Sequence, residues 1–285
     1  MDARHDTLLV YLTGALGDVI LTTPALALVR EACAGRHVHV IAPRCLAELY
    51  PGLYDSFTSA DAAAVAGLFS AGARESLSAH PAWRDATTAV LFERGGSVIA
   101  RRMGEAGLRV VNIDALPGAN AGGRYGRLVW QRTAAALGIA GAFSIPAPCA
   151  RAPAREPRQP FAVVHPGSGS PRKVAPAALL AGICRARRAD QACEVLVLRG
   201  EADEEAVAGF LGAWGGAARV IDQPPLPEAA WLLAHAAFYV GNDSGISHLA
   251  GVAGARGCVV FGPTDPRVWR PFGAGLEVLR FPVNS

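Results

Sequence analysis

Short apolar runs that alternate with helical stretches constrain the fold of this chain most. Several of the runs are uninterrupted and rich in β-branched residues, such as AVV within Phe161–His165, VLVL within Glu194–Leu198 and CVVF at Cys258–Phe261. A strand that is apolar on both faces is typical of a parallel sheet covered by helices on both sides. The alternation therefore predicts an α/β protein built from parallel sheets and helical layers.

A proline-rich segment divides the predicted strands into two groups. The strands before it are Thr7–Leu12, His37–Ala42, Thr88–Phe92 and Arg109–Ile113, and those after it are Phe161–His165, Glu194–Leu198, Ala218–Ile221, Ala237–Val240, Cys258–Phe261 and the strand-like run Leu276–Phe281. Five of the sixteen residues from Ile145 to Pro160 are proline, which blocks helix and removes backbone donors. We therefore predict an N-terminal domain of residues 1–152 and a C-terminal domain of residues 153–285.

Both halves begin with the same design of strand, glycine-rich turn and helix. Strand Thr7–Leu12 runs into TGALGD, and strand Phe161–His165 runs into PGSGSPRK. A doubled design of this kind predicts two Rossmann-like domains that face a central cleft. Ligands are expected at the carboxyl ends of their strands.

The first glycine-rich loop, LTGALGDVILTTPAL, carries one acidic side chain. Gly14 and Gly17 permit a tight turn, and Asp18 opens a helix, for which Thr23-Pro24 is a second possible start. Asp18 has two interpretations: it caps the first helical turn, or it projects into the cleft as a general base. A dinucleotide site is disfavoured, because GxGxxG is absent and no ribose-binding acid ends the next strand.

The second loop, HPGSGSPRKVAP from His165 to Pro176, combines small residues with positive charge. Gly167 and Gly169 would let the backbone approach a ligand, Ser168 can donate a hydrogen bond, and Lys173 adds a cation. It is not a Walker A loop, because no glycine precedes Lys173 and no Ser or Thr follows it. The loop is either an anion site or a solvated basic loop before a helix.

The third loop lies within FYVGNDSGISHLAGVAGA, from Phe238 to Ala255. An apolar strand ends in the turn-forming run Gly241–Gly245, and a helix of small residues follows at once. A helix N-terminus presents unpaired N–H groups and a positive dipole end, which suits a diphosphate. The alternatives are that Asp243 or Ser244 only caps the helix and that His248 is a core histidine.

Bulk properties and absent motifs exclude several classes of protein. A net charge of +3 is too small to argue for nucleic acid, and no apolar run is long enough to span a bilayer. The N-terminal apolar run is predicted as a strand rather than a signal peptide. No Asp-x-Asp, HExxH, GxSxG or kinase signature occurs. We therefore expect a cytoplasmic protein with no bound metal and no cofactor.

Taken in order along the chain, the loops resemble glycosyltransferase family 9, the ADP-heptose:lipopolysaccharide heptosyltransferases. The stretches that carry the resemblance are GALGDVILTTPAL, HPGSGSPRKV, and NDSGISHLAGVAGA continuing to VVFGPTDPRVWRP. The resemblance implies a GT-B fold, with the acceptor on the N-terminal domain and the nucleotide-sugar on the C-terminal domain. It implies an inverting, metal-independent transfer of a heptose or related sugar from ADP-heptose to a lipopolysaccharide core or other glycan acceptor.

The resemblance also implies roles for individual residues. Asp18 becomes the general base for the acceptor hydroxyl, and Lys173 becomes a cation near the donor phosphates. His248 supports the diphosphate-binding turn, and Glu201 in RGEADEE stands near the family's ribose-binding acid. The residues expected at the donor are Gly17, Ser168, Gly169, Lys173, Glu201, Asp243, Ser244, Gly245 and His248.

An uneven distribution of arginine bears on the acceptor. The first domain carries Arg94, Arg101, Arg102, Arg109, Arg124, Arg127 and Arg132 within a short stretch. Such a surface would favour an anionic glycolipid or other glycan acceptor and peripheral contact with the cytoplasmic face of the inner membrane. The alternative is a scattered, solvated face, and the oligomeric state stays open.

Two other functions remain compatible with the sequence. One is a non-catalytic nucleotide-sugar binding protein on a GT-B-like fold. The other is a nucleotide-sugar epimerase, which would act on its donor without any acceptor.

Overall fold

A computed structural model describes residues 6–93, 96–114, 124–158, 160–188 and 193–282. The chain divides into two compact units, Met1–Pro146 and Ala147–Ser285. The division falls in the same proline-rich segment as the boundary predicted after residue 152, a few residues earlier in the chain. Arg94, one of the arginines expected on a basic surface, lies outside the described residues.

The first unit is a five-stranded parallel sheet with helices packed on it. Its strands are β1 (Thr7–Leu12), β2 (His37–Ala42), β3 (Ser56–Ser59), β4 (Ala86–Phe92) and β5 (Arg109–Ile113), and its helices are α1 (Leu16–Ala32), α2 (Arg44–Leu49), α3 (Ala63–Gly67), α4 (Ala73–Ala79), α5 (Val98–Glu105) and α6 (Tyr125–Leu137). The strand order is β3-β2-β1-β4-β5, and all neighbouring pairs are parallel.

The second unit is a six-stranded parallel sheet. Its strands are β6 (Phe161–His165), β7 (Glu194–Arg199), β8 (Arg219–Asp222), β9 (Phe238–Asn242), β10 (Gly257–Phe261) and β11 (Leu276–Arg280), and its helices are α7 (Ala177–Arg188), α8 (Glu204–Trp214), α9 (Leu226–His235), α10 (Gly245–Val252) and α11 (Pro266–Trp269). The order is β11-β10-β9-β6-β7-β8, again with parallel neighbours. The predicted α/β class with two Rossmann-like sheets is confirmed.

Buried apolar side chains on the strands explain why these runs form sheet interiors. Val164, Val197, Val240 and Val260 come from four adjacent strands of the second unit, are fully buried and pack together with Phe210 of α8. Burial on this scale is the main force that holds a parallel sheet between its helices. Among the described residues, no helix is long and apolar enough to cross a membrane.

The proposed second helix start at Thr23-Pro24 is wrong. Helix α1 runs without a break from Leu16 to Ala32, with Pro24 in its interior. Proline has no N–H to donate to the carbonyl four residues earlier, that of Ile20. The Thr23 hydroxyl donates to the Ile20 carbonyl at 2.8 Å instead, which explains how the helix tolerates the proline.

The short edge strand β3 was not predicted, because its sequence SFTS is polar and only half-buried. Its hydroxyl groups form hydrogen bonds with a buried histidine, and its side chains do not add to the apolar core. Trp83 Nε1 donates to His39 Nε2 at 3.0 Å, so the ring proton of His39 lies on Nδ1 and is donated to Ser56 Oγ at 2.7 Å. His39 is therefore held as a neutral side chain in the first unit.

This arrangement predicts a loss of stability in acid. Burial, followed by the neighbouring charges of His80 and His37, lowers the pKa of His39 to about 4. An unfolded histidine titrates near pH 6.5, so between pH 6.5 and 4 the unfolded chain binds a proton that the folded chain does not. We expect His39 to remove about 2 kcal/mol from the free energy of unfolding between pH 7 and pH 5, measured by urea denaturation.

The matched control is His39→Gln, which keeps a donor and an acceptor but cannot titrate. Its free energy of unfolding should fall less steeply over the same pH interval. Equal slopes for the two proteins would show that His39 does not carry this pH dependence.

Candidate functional site

The loops predicted to bind an anion converge at the carboxyl end of the second sheet. Strand β9 lies between β6 and β10, so the loops after Asn242, His165 and Phe261 are neighbours. In each case a strand whose last four residues are buried is followed by a polar turn at the sheet edge. This is the position at which α/β sheets bind ligands.

Asn242 joins two of these loops from inside the sheet. Its Nδ2 donates to the Pro166 carbonyl at 2.7 Å, and its Oδ1 accepts from the Ala175 N–H at 3.1 Å. The Ser168 hydroxyl adds a third link by donating to the Asp243 carbonyl at 2.7 Å. The loop from Pro166 to Ala175 is therefore fixed against the start of α10. The sequence contained the signal for Asn242, a polar residue at the end of an apolar strand, but not its role.

The N-terminus of α10 has the geometry of an anion site. Ser244 is the N-cap, with an extended backbone, and its hydroxyl accepts from the Ser247 N–H at 3.3 Å. The N–H groups of Gly245 and Ile246 belong to the first helical turn and have no intrahelical acceptor. These N–H groups, with the positive end of the helix dipole, can bind phosphate oxygens.

Lys173 is held beside this helix end by a buried carboxylate. Its Nζ lies 3.0 Å from Asp243 Oδ2, and the two side chains are 32% and 3% exposed, respectively. The Thr264 hydroxyl donates to the same carboxylate oxygen. Asp243 is thus occupied by the protein itself, and it positions the ammonium group, whose remaining protons can bind an anion. Thr264 comes from the loop after β10 and was not singled out from the sequence.

His248 lies buried under the same turn. Burial lowers its pKa to about 4, while Asp243 raises it and Lys173 lowers it by smaller amounts. Its Nδ1 has no hydrogen-bond partner within the described part of the chain. The histidine is consequently neutral near pH 7, and it can support the turn without adding charge.

A cavity of about 450 Å³ is lined in part by the loop that follows β6. Its lining combines Ser168 and Gly169 with apolar residues of α7 and with Asp203 and Glu205 at the start of α8. The Asp203 side chain is 10% exposed, and its Oδ2 lies 3.8 Å from His165 Nδ1 and accepts from the Gly200 N–H at 2.8 Å. Burial lowers the pKa of His165, against a raising effect of Asp203. The cavity thus has apolar walls and carboxylate acceptors.

Gly167 has to lack a side chain, because the Asp203 carboxylate in the wall of this cavity fills the space that a Cβ atom would need. A Cβ atom at Gly167 would lie 1.8 Å from Asp203 Oδ1. We expect Gly167→Ala to displace Asp203 and to lower the free energy of unfolding by about 2 kcal/mol, as overpacking does. Gly169→Ala is the control, because a Cβ there meets nothing within 4 Å. Urea denaturation of both variants tests this, and equal stabilities would contradict it.

Asp18 and Gly17 lie in the first unit, at the carboxyl end of β1. Gly14 alone of the two predicted turn glycines makes the turn, with φ +118, whereas Gly17 lies inside the first turn of α1. Asp18 is the third helical residue, and its Oδ2 accepts from the Ala15 N–H at 3.0 Å. Burial, followed by the charge of Asp18, raises the pKa of Tyr125 in α6 to about 12. Asp18 is therefore not the N-cap, which is Ala15, but it closes the first turn of α1 by accepting from the N–H of the N-cap.

The structure brings together most, but not all, of the predicted donor residues. Those gathered around the start of α10 are Ser168, Lys173, Asp243, Ser244, Gly245 and His248. Glu201 is exposed on the turn between β7 and α8 and does not line the cavity, whereas Asp203, the N-cap of α8, and Glu205 in its first turn do. Asp203 lies two residues after Glu201 in the same RGEADEE segment, but it was not singled out from the sequence. Across the described ranges, no group of three His, Cys, Asp or Glu side chains could hold a metal ion.

Comparison with known proteins identifies the family. The family model described as Glycosyltransferase family 9 (heptosyltransferase) matches residues 139–284, just over half of the chain. The chain belongs to glycosyltransferase family 9. It is therefore a glycosyltransferase, and the matched span includes all the loops gathered at the end of the second sheet.

Solved structures of family 9 share the fold over nearly the whole chain. The family 9 glycosyl transferase of Veillonella parvula DSM 2008 matches with a TM-score of 0.74 and 17% identity, over 99% of this chain and 87% of that one. E. coli heptosyltransferase WaaC, solved with ADP, gives 0.69 and 18% over 97% and 93%. E. coli ADP-heptose lps heptosyltransferase II gives 0.69 and 18% over 97% and 90%. The fold is therefore GT-B. A sequence comparison with curated proteins found no match.

Proposed function

We propose that this member of family 9 is an inverting, metal-independent heptosyltransferase. It transfers a heptose, or a closely related sugar, from ADP-heptose to a hydroxyl of a lipopolysaccharide core or other glycan. Among the solved relatives, E. coli heptosyltransferase WaaC is known with ADP and with ADP-2-deoxy-2-fluoro heptose. These ligands of a relative support the choice of donor.

One observation carries the proposal: the Lys173–Asp243 ion pair at the N-terminus of α10. A leaving diphosphate gains negative charge in the transition state. Fixed N–H groups and a positioned ammonium group stabilise that charge more than they stabilise the bound donor, which is the requirement for catalysis. These donors supply what a metal ion supplies in other nucleotide-sugar sites, so we propose that no metal is needed.

Asp18 is proposed as the general base that takes the proton of the acceptor hydroxyl. A carboxylate is a weak base towards an alcohol. It suffices when the proton moves late, because the hydroxyl becomes acidic as its bond to the sugar forms. A base on one face of the sugar and the leaving diphosphate on the other gives a single displacement, and the anomeric configuration is inverted.

The cavity beside Ser168 is proposed to receive the nucleoside part of the donor. Asp203 and Glu205 supply carboxylate acceptors there, so ribose hydroxyls could donate to either. Glu201, the ribose-binding acid suggested by the resemblance, remains a candidate for the same role. We also propose that the protein works in the cytoplasm, with peripheral contact at the inner membrane where a lipid-linked acceptor requires it.

A thermal-shift screen tests the donor class. ADP and ADP-heptose at a hundred times their dissociation constants should stabilise the full chain by about 2.7 kcal/mol, whereas UDP, GDP and their sugars should not. AMP is the control for the diphosphate, and it should stabilise much less. Stabilisation by UDP or GDP compounds alone would contradict the ADP-heptose proposal.

The same samples separate the competing functions. Proton NMR of ADP-heptose incubated with the protein alone should show the donor unchanged over the time of a transfer assay. Conversion of the donor to an epimer without acceptor would favour an epimerase. Donor binding without turnover on any glycan would favour a non-catalytic binding protein.

A further inference from the structure

The carboxyl end of the first sheet carries a second carboxylate besides Asp18. Glu93 directly follows β4, and its N–H still bonds the Ile113 carbonyl at 3.2 Å, so the strand geometry extends to it. Tyr11 of β1 lies opposite Leu91 in the parallel register. Because side chains alternate along a strand, Glu93 lies on the same face as Tyr11, two residues beyond its partner.

Glu93 is oriented by its own chain. The hydroxyl of Ser97, which is the N-cap of α5, donates to Glu93 Oε1. Partial burial raises the pKa of Glu93, against a smaller lowering by the Ser97 bond. Burial, and then the charge of Glu93, raises the pKa of Tyr11 to about 12, which agrees with their shared face. A carboxylate held by one oxygen can accept from a ligand hydroxyl with the other.

An exposed aromatic ring packs on the tyrosine that shares a face of the sheet with this carboxylate. Phe69, just after α3, is 43% exposed. Its ring meets the buried Tyr11 ring edge-on, with centroids 6.3 Å apart and planes at 70°. Tyr11 therefore links Phe69 to the face that carries Glu93. A pyranose presents a face of C–H groups and a rim of hydroxyls, so an open ring and an oriented carboxylate match its two kinds of surface.

The arginines expected to attract an anionic acceptor are largely engaged elsewhere. Arg101 and Arg102 lie 3.9 and 2.8 Å from the two oxygens of Glu105, at the end of α5 remote from Glu93. Arg132 donates to the Asp114 carbonyl at 2.6 Å. These contacts account for much of the positive charge in this part of the unit.

Two of the remaining described arginines of this group are placed away from Glu93, and the third begins a helix at the carboxyl end of the sheet. Arg127 lies over the Phe143 ring, 4.3 Å from its centroid. Arg109 opens β5 at the amino end of the sheet, and Arg124 is the N-cap of α6. An anionic sugar packed on Phe69 would instead face the side of the sheet that carries the Glu93 carboxylate, and like charges repel.

We propose that Phe69 and Glu93 form a subsite for an uncharged, hydroxyl-rich sugar residue of the acceptor. Phe69 packs against the C–H face of the sugar, and Glu93 accepts hydrogen bonds from its hydroxyls. The inference rests on the proposed function for its acceptor role. It differs from the anionic acceptor that the arginine count suggested, because it concerns the sugar that packs on Phe69 and bonds Glu93.

Saturation-transfer NMR with the full chain tests this subsite without requiring turnover. The probes are methyl glycosides of hexoses and heptoses, each paired with its own 6-phosphate. We expect saturation transfer to the uncharged member of each pair and at least tenfold weaker binding of the phosphate. Phe69→Ala should remove the signal, Phe69→Trp should restore it, and Glu93→Gln should weaken binding about tenfold, since a hydrogen bond to a charged group is lost. The control is Leu179→Ala, an equally open apolar residue of the second unit that is 37% exposed.

The outcomes decide the subsite separately from the donor. Equal signals from wild type and Phe69→Ala, no signal from any uncharged glycoside, or preferential binding of the phosphates through Arg124 would each overturn the subsite. None of these results changes the thermal shift produced by ADP, which tests the proposed donor separately. If the glycosides bind as expected but ADP does not stabilise the protein, the sugar subsite is supported and the proposed donor is rejected.

Discussion

Asp18→Asn is expected to reduce the rate of sugar transfer by about a thousandfold and to leave ADP binding unchanged. Removing a general base typically costs between about a hundredfold and ten-thousandfold. The amide oxygen of asparagine can still accept from the Ala15 N–H, which Asp18 bonds at 3.0 Å. The first turn of α1 therefore stays capped, and only the ability to take a proton is lost. Steady-state release of ADP and titration calorimetry with ADP measure the two effects.

Asp18→Ala is the complementary variant, because it shows what the capping hydrogen bond of Asp18 contributes. It removes both the cap and the base, so it should lower the free energy of unfolding by about 1 kcal/mol and reduce transfer as much as Asp18→Asn. If Asp18→Asn kept its activity within tenfold of wild type while Asp18→Ala lost it, the role of Asp18 would be the cap alone.

Lys173→Met is expected to lower turnover about a hundredfold and ADP affinity by a smaller factor. Charge on the diphosphate is greater in the transition state than in the bound donor, so loss of a positioned cation affects kcat more than binding. The same change leaves the Asp243 carboxylate, 3% exposed, without its ion pair. Because the lysine side chain is itself 32% exposed, we expect the free energy of unfolding to fall by only about 2 kcal/mol.

The double variant Lys173→Met with Asp243→Asn distinguishes the two roles of the pair. Asparagine removes the uncompensated charge. Its side-chain carbonyl can accept from the Thr264 hydroxyl, which donates to Asp243 in the wild-type protein. Stability should return to within about 1 kcal/mol of wild type, whereas turnover should stay low. Recovery of turnover together with stability would show that Lys173 only maintains the fold.

The strands were predictable because burial on both faces leaves a direct mark on the sequence. All ten strand-like runs form strands, and their ends differ from the prediction by at most two residues. The missed strand, β3, has polar side chains that serve His39, so the pattern that identifies the others is absent. Pro24 misled the prediction for a different reason. The compensating donor, Thr23 Oγ1, is visible only when its distance to the Ile20 carbonyl is known.

The candidate donor site was predictable as a set of loops but not as a set of contacts. Glycine-rich turns after buried strands identify the sheet edge, and the parallel topology brings them together. The sequence could not show that Asp243 is bound to Lys173, nor that Ser168 donates to the Asp243 carbonyl. The sequence also pointed to Glu201 instead of Asp203. Which acid of this short segment is buried and which is exposed depends on tertiary packing, which the sequence does not show. Glu93 and Phe69 carry no motif, and only the register of β1 against β4 and the position of α3 relate them.

The most direct test of the central claim is NMR of the transfer product made from ADP-heptose by the full chain in the presence of EDTA. The anomeric proton and its coupling to carbon report the configuration of the new bond. An inverting, metal-independent heptosyltransferase predicts ADP release matched by a glycoside whose anomeric configuration is opposite to that of the donor. A product that retains the donor's configuration, or transfer abolished by EDTA and restored by a divalent cation, would contradict the account.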